Sequence, residues 1–181
     1  MAGTFALLFC LAALTGSAGT NLLPSTNGST PPKPPLVEEQ ATAAYEAQRA
    51  EQIRTTCIEG RRYIAGRVLL VATEGIVVDS GYSALLSPPF DHSWVVRGTA
   101  SVTRDASAVE EKKPDAICVG LVFLGNIPKR PPVKNYDYVV IHGYPAGEYC
   151  YAPVPGVQKT IRRFSASLER AVQLNLKPPQ K

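Results

Sequence analysis

From Val37 to Cys57 the chain contains neither glycine nor proline, and at Gly60 that texture stops and strand periodicity takes over. No other boundary restricts the fold as much. Glu, Ala, Gln and Arg fill the first segment, all good helix formers, so it predicts one helix, placed at 37–59 and about 30 Å long if complete. Its best apolar stripe is Ala43, Ala47, Ala50, Ile53 and Cys57, small side chains at the spacing of one helix face. A helix with so narrow a seam packs on a neighbouring domain or extends as a spacer. Glu38 and Glu39 at its start, with Arg49 and Arg54 toward its end, suit the helix dipole.

After Gly60 the residues read as strands. Tyr63 to Ala72 is apolar and β-branched, Thr73-Glu74-Gly75 supplies a turn, and Ile76-Val77-Val78-Asp79 returns, which predicts a hairpin. Gly66 inside the first strand predicts a bend or a bulge. Further strands are expected at Ser93 to Thr103, Ala116 to Leu124, Tyr136 to His142, Gly147 to Tyr151 and Lys159 to Ser165. Short strands at this spacing point to a barrel or a sandwich over 60–166. Asp105 to Lys113 reads as a helical turn or a solvated hairpin tip, and Pro128 to Asn135 as a Pro- and Lys-rich loop. Residues 167–181 form a tail, with Leu168 onward a brief helix that ends before Pro178-Pro179.

The segment ahead of the helix cannot build a core. Met1 to Ala18 carries no charged side chain, and its apolar run from Phe5 to Leu14 ends in Thr15-Gly16-Ser17-Ala18, which reads as a signal peptide cleaved after Ala18. The run is shorter than the roughly 20 residues of a membrane span, so no transmembrane anchor is expected after cleavage. Met1 to Thr4 holds no Lys or Arg, and the terminal amine alone supplies positive charge there. Bulky Phe9 before Cys10 does not suit lipidation of that cysteine. Residues 19–36 are a Pro/Ser/Thr-rich tether, with Asn27-Gly28-Ser29 a glycosylation acceptor in an organism equipped for it. These features predict a secreted or periplasmic protein.

Two pairs of runs carry a resemblance: Gly66 to Val71 with Gly75 to Val78, and Gly147 to Tyr151 with Gly156 to Phe164. Over roughly Tyr63 to Phe164 the chain resembles uncharacterised secreted bacterial proteins with a small OB-like or SH3-like β-barrel. That resemblance implies a fold and carries no catalytic residue across. The fold class expected is therefore mainly β, a small antiparallel barrel preceded by one α-helix.

Beyond Cys10 there are three cysteines, Cys57, Cys118 and Cys150. A Cys118–Cys150 disulfide would close a loop of about thirty residues and stabilise by about 3 kcal/mol; the alternative is three buried thiols. Without paired-cysteine spacing, and with His92 and His142 far apart, a metal site has no support. A thiol-dependent hydrolase would set Cys118 or Cys150 against His142, with Asp137 or Glu148 orienting the ring, but Cys118 reads as a strand interior rather than a helix start. Asp91-His92-Ser93 are sequence neighbours whose side chains point apart, so they form no relay. The glycine spacing of a phosphate loop is absent, and no cofactor is expected.

Net charge of +4 and a pI near 8.9 suit a solubilising surface or an anionic partner, short of a dedicated nucleic-acid binder. Single-stranded nucleic acid is the alternative. Tyr136, Tyr138, Tyr149, Tyr151 and Phe164, with Lys159, Arg162 and Arg163, would supply aromatics and cations, but strand alternation splits them between faces. The function expected is an exported, non-catalytic binding or structural module of the cell envelope, its partner a protein or an envelope glycan. Phe90, Trp94, Lys129 and Arg130, in the loops Pro88 to Trp94 and Pro128 to Asn135, are the candidate contact residues; for Trp94 core packing is the competing role.

Overall fold

The computed structural model describes residues 37–90, 93–98, 101–105, 107, 113–154 and 156–177. The leader, the tether, Cys10 and Asn27 lie outside the described residues, as do Asp91, His92 and most of the charged segment 105–113. Helix α1 runs Val37–Glu59 and ends at Gly60, whose amide donates to the Thr56 carbonyl. Of the predicted stripe, Ile53 and Cys57 pack inward, and the side chains of residues 40–49 are exposed. No helix among the described residues is long and apolar enough to cross a membrane.

Strands β1 (Arg62–Ala72) and β2 (Gly75–Ser80) form the predicted hairpin across the Thr73-Glu74 turn. Gly66 is where β1 meets β2 on one side and a later strand on the other; a Cβ there would collide with the Asp79 carbonyl oxygen, so only glycine lets the backbones approach. The bulge falls two residues on, between Val68 and Leu70. The chain then places a short strand β3 (Val95–Val96), a short β4 (Ala116–Ile117), β5 (Gly120–Gly125), a long β6 (Tyr138–Val154), β7 (Val157–Ser165) and helix α2 (Leu168–Leu176). The strand expected over Ser93 to Thr103 is thus only β3, and the two expected between Tyr136 and Tyr151 are one continuous β6.

The molecule is mainly β, a seven-stranded mixed sheet in the order β3-β6-β7-β5-β2-β1-β4, with β6 also paired to β1. Residues 138–143 of β6 pair with β1 and residues 144–154 with β7, the change falling between Gly143 and Tyr144, just ahead of an irregularity between Pro145 and Glu148. The ladders therefore run β1, β2, β5, β7, β6 and back to β1. The expectation of purely antiparallel pairing fails at β5–β7 and β1–β4, which are parallel. The reason is topological: β7 follows β6 by a tight turn yet inserts between β6 and β5, so it must run in the direction of β5.

Alternation sorts the side chains. Ile64, Val68, Ile76, Val78, Val122, Leu124, Val139 and Phe164 meet in the main core. The opposite face of β2, β5 and β7 carries Val77, Phe123 and Ile161, also buried, because Leu121, Tyr149 and Tyr151 cover them. Phe123 stacks on Tyr149 at 3.8 Å between ring centroids and lies over Gly75, where a Cβ would stand 2.9 Å from the ring. Burying a side chain of that size stabilises by about 1.5–3 kcal/mol. A third cluster joins the helices: Cys57 of α1, Ala146 of β6 and Ala171 of α2, all small enough for close approach. Asn175 Nδ2 donates to the Pro145 and Ala171 carbonyl oxygens, both at 2.9 Å. The segment read as a tail is over 168–176 a docked helix.

Candidate functional site

A cleft of about 630 Å³ opens where the β1–β2 turn, the end of β5 with the loop after it, Arg163 of β7 and one face of α2 converge. Each wall has a local cause. Ser167 caps α2 by accepting from the Arg170 amide, and its own amide donates to Ser165 Oγ at 3.1 Å, which fixes the helix start against the end of β7. Asn126, in the left-handed region that asparagine tolerates, donates to the same Ser165 Oγ at 3.2 Å and sets where the loop leaves β5. With α2 so placed, Arg170, Gln173 and Lys177 recur at i, i+3 and i+7 and line the cleft, while Ala171 and Asn175 face α1.

The loop has a proline at 128, 131 and 132, so it has few amides of its own and is held through its carbonyls. Trp94 Nε1 donates to the Arg130 carbonyl at 3.1 Å, and Arg97 Nη2 to that of Pro132 at 3.2 Å. Asn135 Oδ1 accepts from the Val71 amide at 3.0 Å. Trp94 also packs on the main core, and Phe90 packs on the cluster of Tyr82, Leu85 and Tyr138. Of the candidate contact residues, Lys129 lines the cleft, and Arg130 is exposed, with its main chain holding Trp94.

Four cations, Lys129, Arg163, Arg170 and Lys177, face the cleft against one carboxylate, Glu74. Arg163 lies with its guanidinium carbon 5.6 Å above the Phe123 ring and its Nη2 3.8 Å from Glu74 Oε2, while its buried Nε has no hydrogen-bond partner among the described residues. Glu74 is 71% exposed, so this ion pair neutralises little. Val71, Ile127, Val133 and Leu174 give the cleft an apolar floor. An apolar surface rimmed by an excess of cations suits an elongated anion with hydrophobic faces.

Elsewhere, Asp115 joins three elements. Its Oδ2 accepts from Arg61 Nη2 at 2.6 Å, its Oδ1 lies 2.9 Å from His142 Nε2, and the His142 ring packs on Tyr63 with centroids 3.8 Å apart. The Arg61 hydrogen bond holds the Asp115 carboxyl below its usual range. Burial lowers the His142 imidazole, with the Asp115 charge opposing. The direction of that shift favours the uncharged imidazole at neutral pH. This network locks the start of β1 to β4 and β6.

Cys57, Cys118 and Cys150 form no disulfide. Cys118 is wholly buried in the main core, whereas Cys150 is exposed on β6 with Sγ 3.8 Å from Gln158 Oε1, so the expected bridge is replaced by separate environments. Burial raises the Cys57 thiol, with the Asn175 hydrogen bond opposing. His142 turns its Nε2 to Asp115 rather than to a sulfur. Of the aromatics considered for nucleic acid, Tyr138 and Phe164 are buried and Tyr149 is stacked on Phe123; Tyr136 is 64% exposed. The sequence alone indicates a brief helix from Leu168 but no role for Arg170, Gln173 and Lys177, because nothing local shows that the helix docks beside the cleft. The signal present was Ser167 as a cap followed by polar residues at helical spacing.

No family model, curated protein or solved structure matches the chain.

Proposed function

We propose that this protein is an exported, non-catalytic binding module of the cell envelope whose basic cleft takes an elongated anionic ligand. The observation that carries the reading is the convergence of Lys129 of the loop, Arg163 of β7, Arg170 of α2 and Lys177 at the end of α2 on one apolar-floored cleft with a single carboxylate among the described residues. A surface charged only for solubility intersperses both signs and needs no cavity. The export part rests on the apolar, uncharged residues 1–18.

The ring of ladders β1-β2-β5-β7-β6 is, on this reading, a small closed barrel. The neighbours β6-β1-β2-β5 follow the Greek-key order, a fourth strand returning beside the first, and five strands on that path favour the OB-like over the SH3-like alternative. The cleft then sits at one end of the barrel, where loops and helix are free to vary.

The test is calorimetric titration of an anionic polymer into the full chain and into a Lys129→Glu/Arg170→Glu variant. The reading expects salt-sensitive binding by the wild type and a loss of at least about tenfold in the variant, or about 1.4 kcal/mol. Equal affinities with unchanged melting temperatures would reject the cleft.

A further inference from the structure

A second, smaller cavity of about 230 Å³ lies where the chain leaves the same loop and enters β6, lined by Arg67, Val96, Arg97, Gly98, Tyr136, Asp137 and Tyr138. The loop's Lys129, Pro132 and Val133 face the cleft, and its Tyr136 and Asp137 face this cavity. Arg97 spans the two, since it lines the small cavity and hydrogen-bonds the carbonyl of Pro132 in the cleft wall. Resting on the cleft reading above, we infer that Tyr136, Arg67 and Arg97 form a subsite for one acidic sugar ring, so that the ligand is an acidic glycan running from the cleft past the loop.

Four observations point there. Tyr136 is the most exposed aromatic of the β-sheet region, and its backbone has φ +72°, in the left-handed region that tyrosine rarely adopts. Packing does not require that side chain, and strain held at an exposed aromatic is a mark of a binding site. The position is nonetheless fixed: the Tyr136 amide donates to the Val68 carbonyl and the Val68 amide to the Asp137 carbonyl, each at 2.8 Å. Arg67 lies 4.9 Å from the ring centroid, orienting the tyrosine while bringing a cation beside whatever stacks on it. The cavity falls below the roughly 300–1,000 Å³ of drug-sized sites, so it takes a single ring.

Asp137 decides between a sugar and a nucleotide. Its Oδ2 accepts from the Lys134 amide at 2.9 Å, which leaves Oδ1 to accept from a ligand hydroxyl. Glu74 stands in the cleft in the same way. A contiguous row of phosphates would be repelled at both carboxylates, whereas a glycan offers hydroxyl donors to them and spaced carboxylates to the cations.

The experiment titrates oligogalacturonate, its methyl ester and an oligothymidylate of similar length into the full chain and its variants. Wild type should bind oligogalacturonate, with the uncharged ester at least about tenfold weaker. Tyr136→Asn suits the left-handed backbone, so its melting temperature should not fall, while affinity drops about tenfold; Tyr136→Phe should keep affinity, and Arg67→Gln/Arg97→Gln should lose it. Unchanged affinity in Tyr136→Asn, with Lys129→Glu/Arg170→Glu still weakened, overturns the subsite and leaves the cleft standing. Tighter binding of oligothymidylate, or equal binding of the ester, overturns the acidic glycan. No binding of any probe by the wild type removes the cleft and the subsite together.

Discussion

Asp115 shows how much one side chain decides. Its Oδ2 accepts from Arg61 and its Oδ1 lies 2.9 Å from His142 Nε2, from a backbone with φ +65°. Asp115→Asn keeps a residue suited to that backbone, removes the charge and replaces one acceptor oxygen with a donor. Both Asp115 and His142 are shifted below their ordinary values, so each contributes stability that is present above the ordinary value and lost as the pH falls through the native one. Wild-type stability should therefore decline below about pH 6.5 as His142 is forced to protonate, and again below about pH 4 through Asp115. With both groups more than a third exposed, Asp115→Asn should cost only about 0.5–1 kcal/mol near neutrality, and it should flatten the lower limb; urea unfolding across pH reads both. The His142 ring signals in an NMR titration should move to a lower midpoint in the variant, since the Asp115 charge is what raises it. An unmoved midpoint would mean the pair does not form. Phe123→Ala, in contrast, removes a wholly buried ring stacked on Tyr149 and should cost about 3–5 kcal/mol in the same unfolding experiment.

Among the elements, α2 carries the sharpest consequence. Ala171 is fully buried against Cys57 and Ala146, and Asn175 ties the helix to Pro145. Ala171→Glu should lift α2 and open Cys57 to iodoacetamide, while in the wild type Cys150 labels quickly and Cys57 and Cys118 slowly. Labelling followed by peptide mass spectrometry separates the three. Rapid labelling of Cys118 in the folded wild type would contradict its burial and return the thiol reading to consideration. That a brief helix starts at Leu168 was legible in the sequence, and that it docks was not. α1, the β1–β2 hairpin and strands near β5 and β7 were readable because period and turn residues are local signals. The insertion of β7 between β6 and β5 was not, since parallel pairing depends on long-range order and leaves no mark in Val157 to Ser165. Nor was the cleft, whose cations come from positions 129, 163, 170 and 177 and meet only once α2 docks. Trp94 and Phe90 stood out in the sequence, and each packs in part against a buried cluster.

For the molecule as a whole, one face of the sheet packs on a core that includes Ile64, Val122, Leu124 and Phe164, and on the opposite face Tyr149 and Tyr151 pack against the cluster of Phe123. Many of the aromatic side chains of the sheet are thus used in packing, while Lys129 of the loop lines the cleft and Tyr136, just after the loop, lines the smaller cavity. Mild net charge fits this arrangement, because four cations in one cleft create a local field without a basic surface. The most direct test follows backbone amide shifts by NMR as oligogalacturonate is added to the full chain. The account predicts perturbations concentrated at Lys129, Arg163, Arg170 and Lys177 and extending to Tyr136, with the β6–β7 turn unmoved. Shifts confined to that turn, or none at saturating ligand, would contradict it.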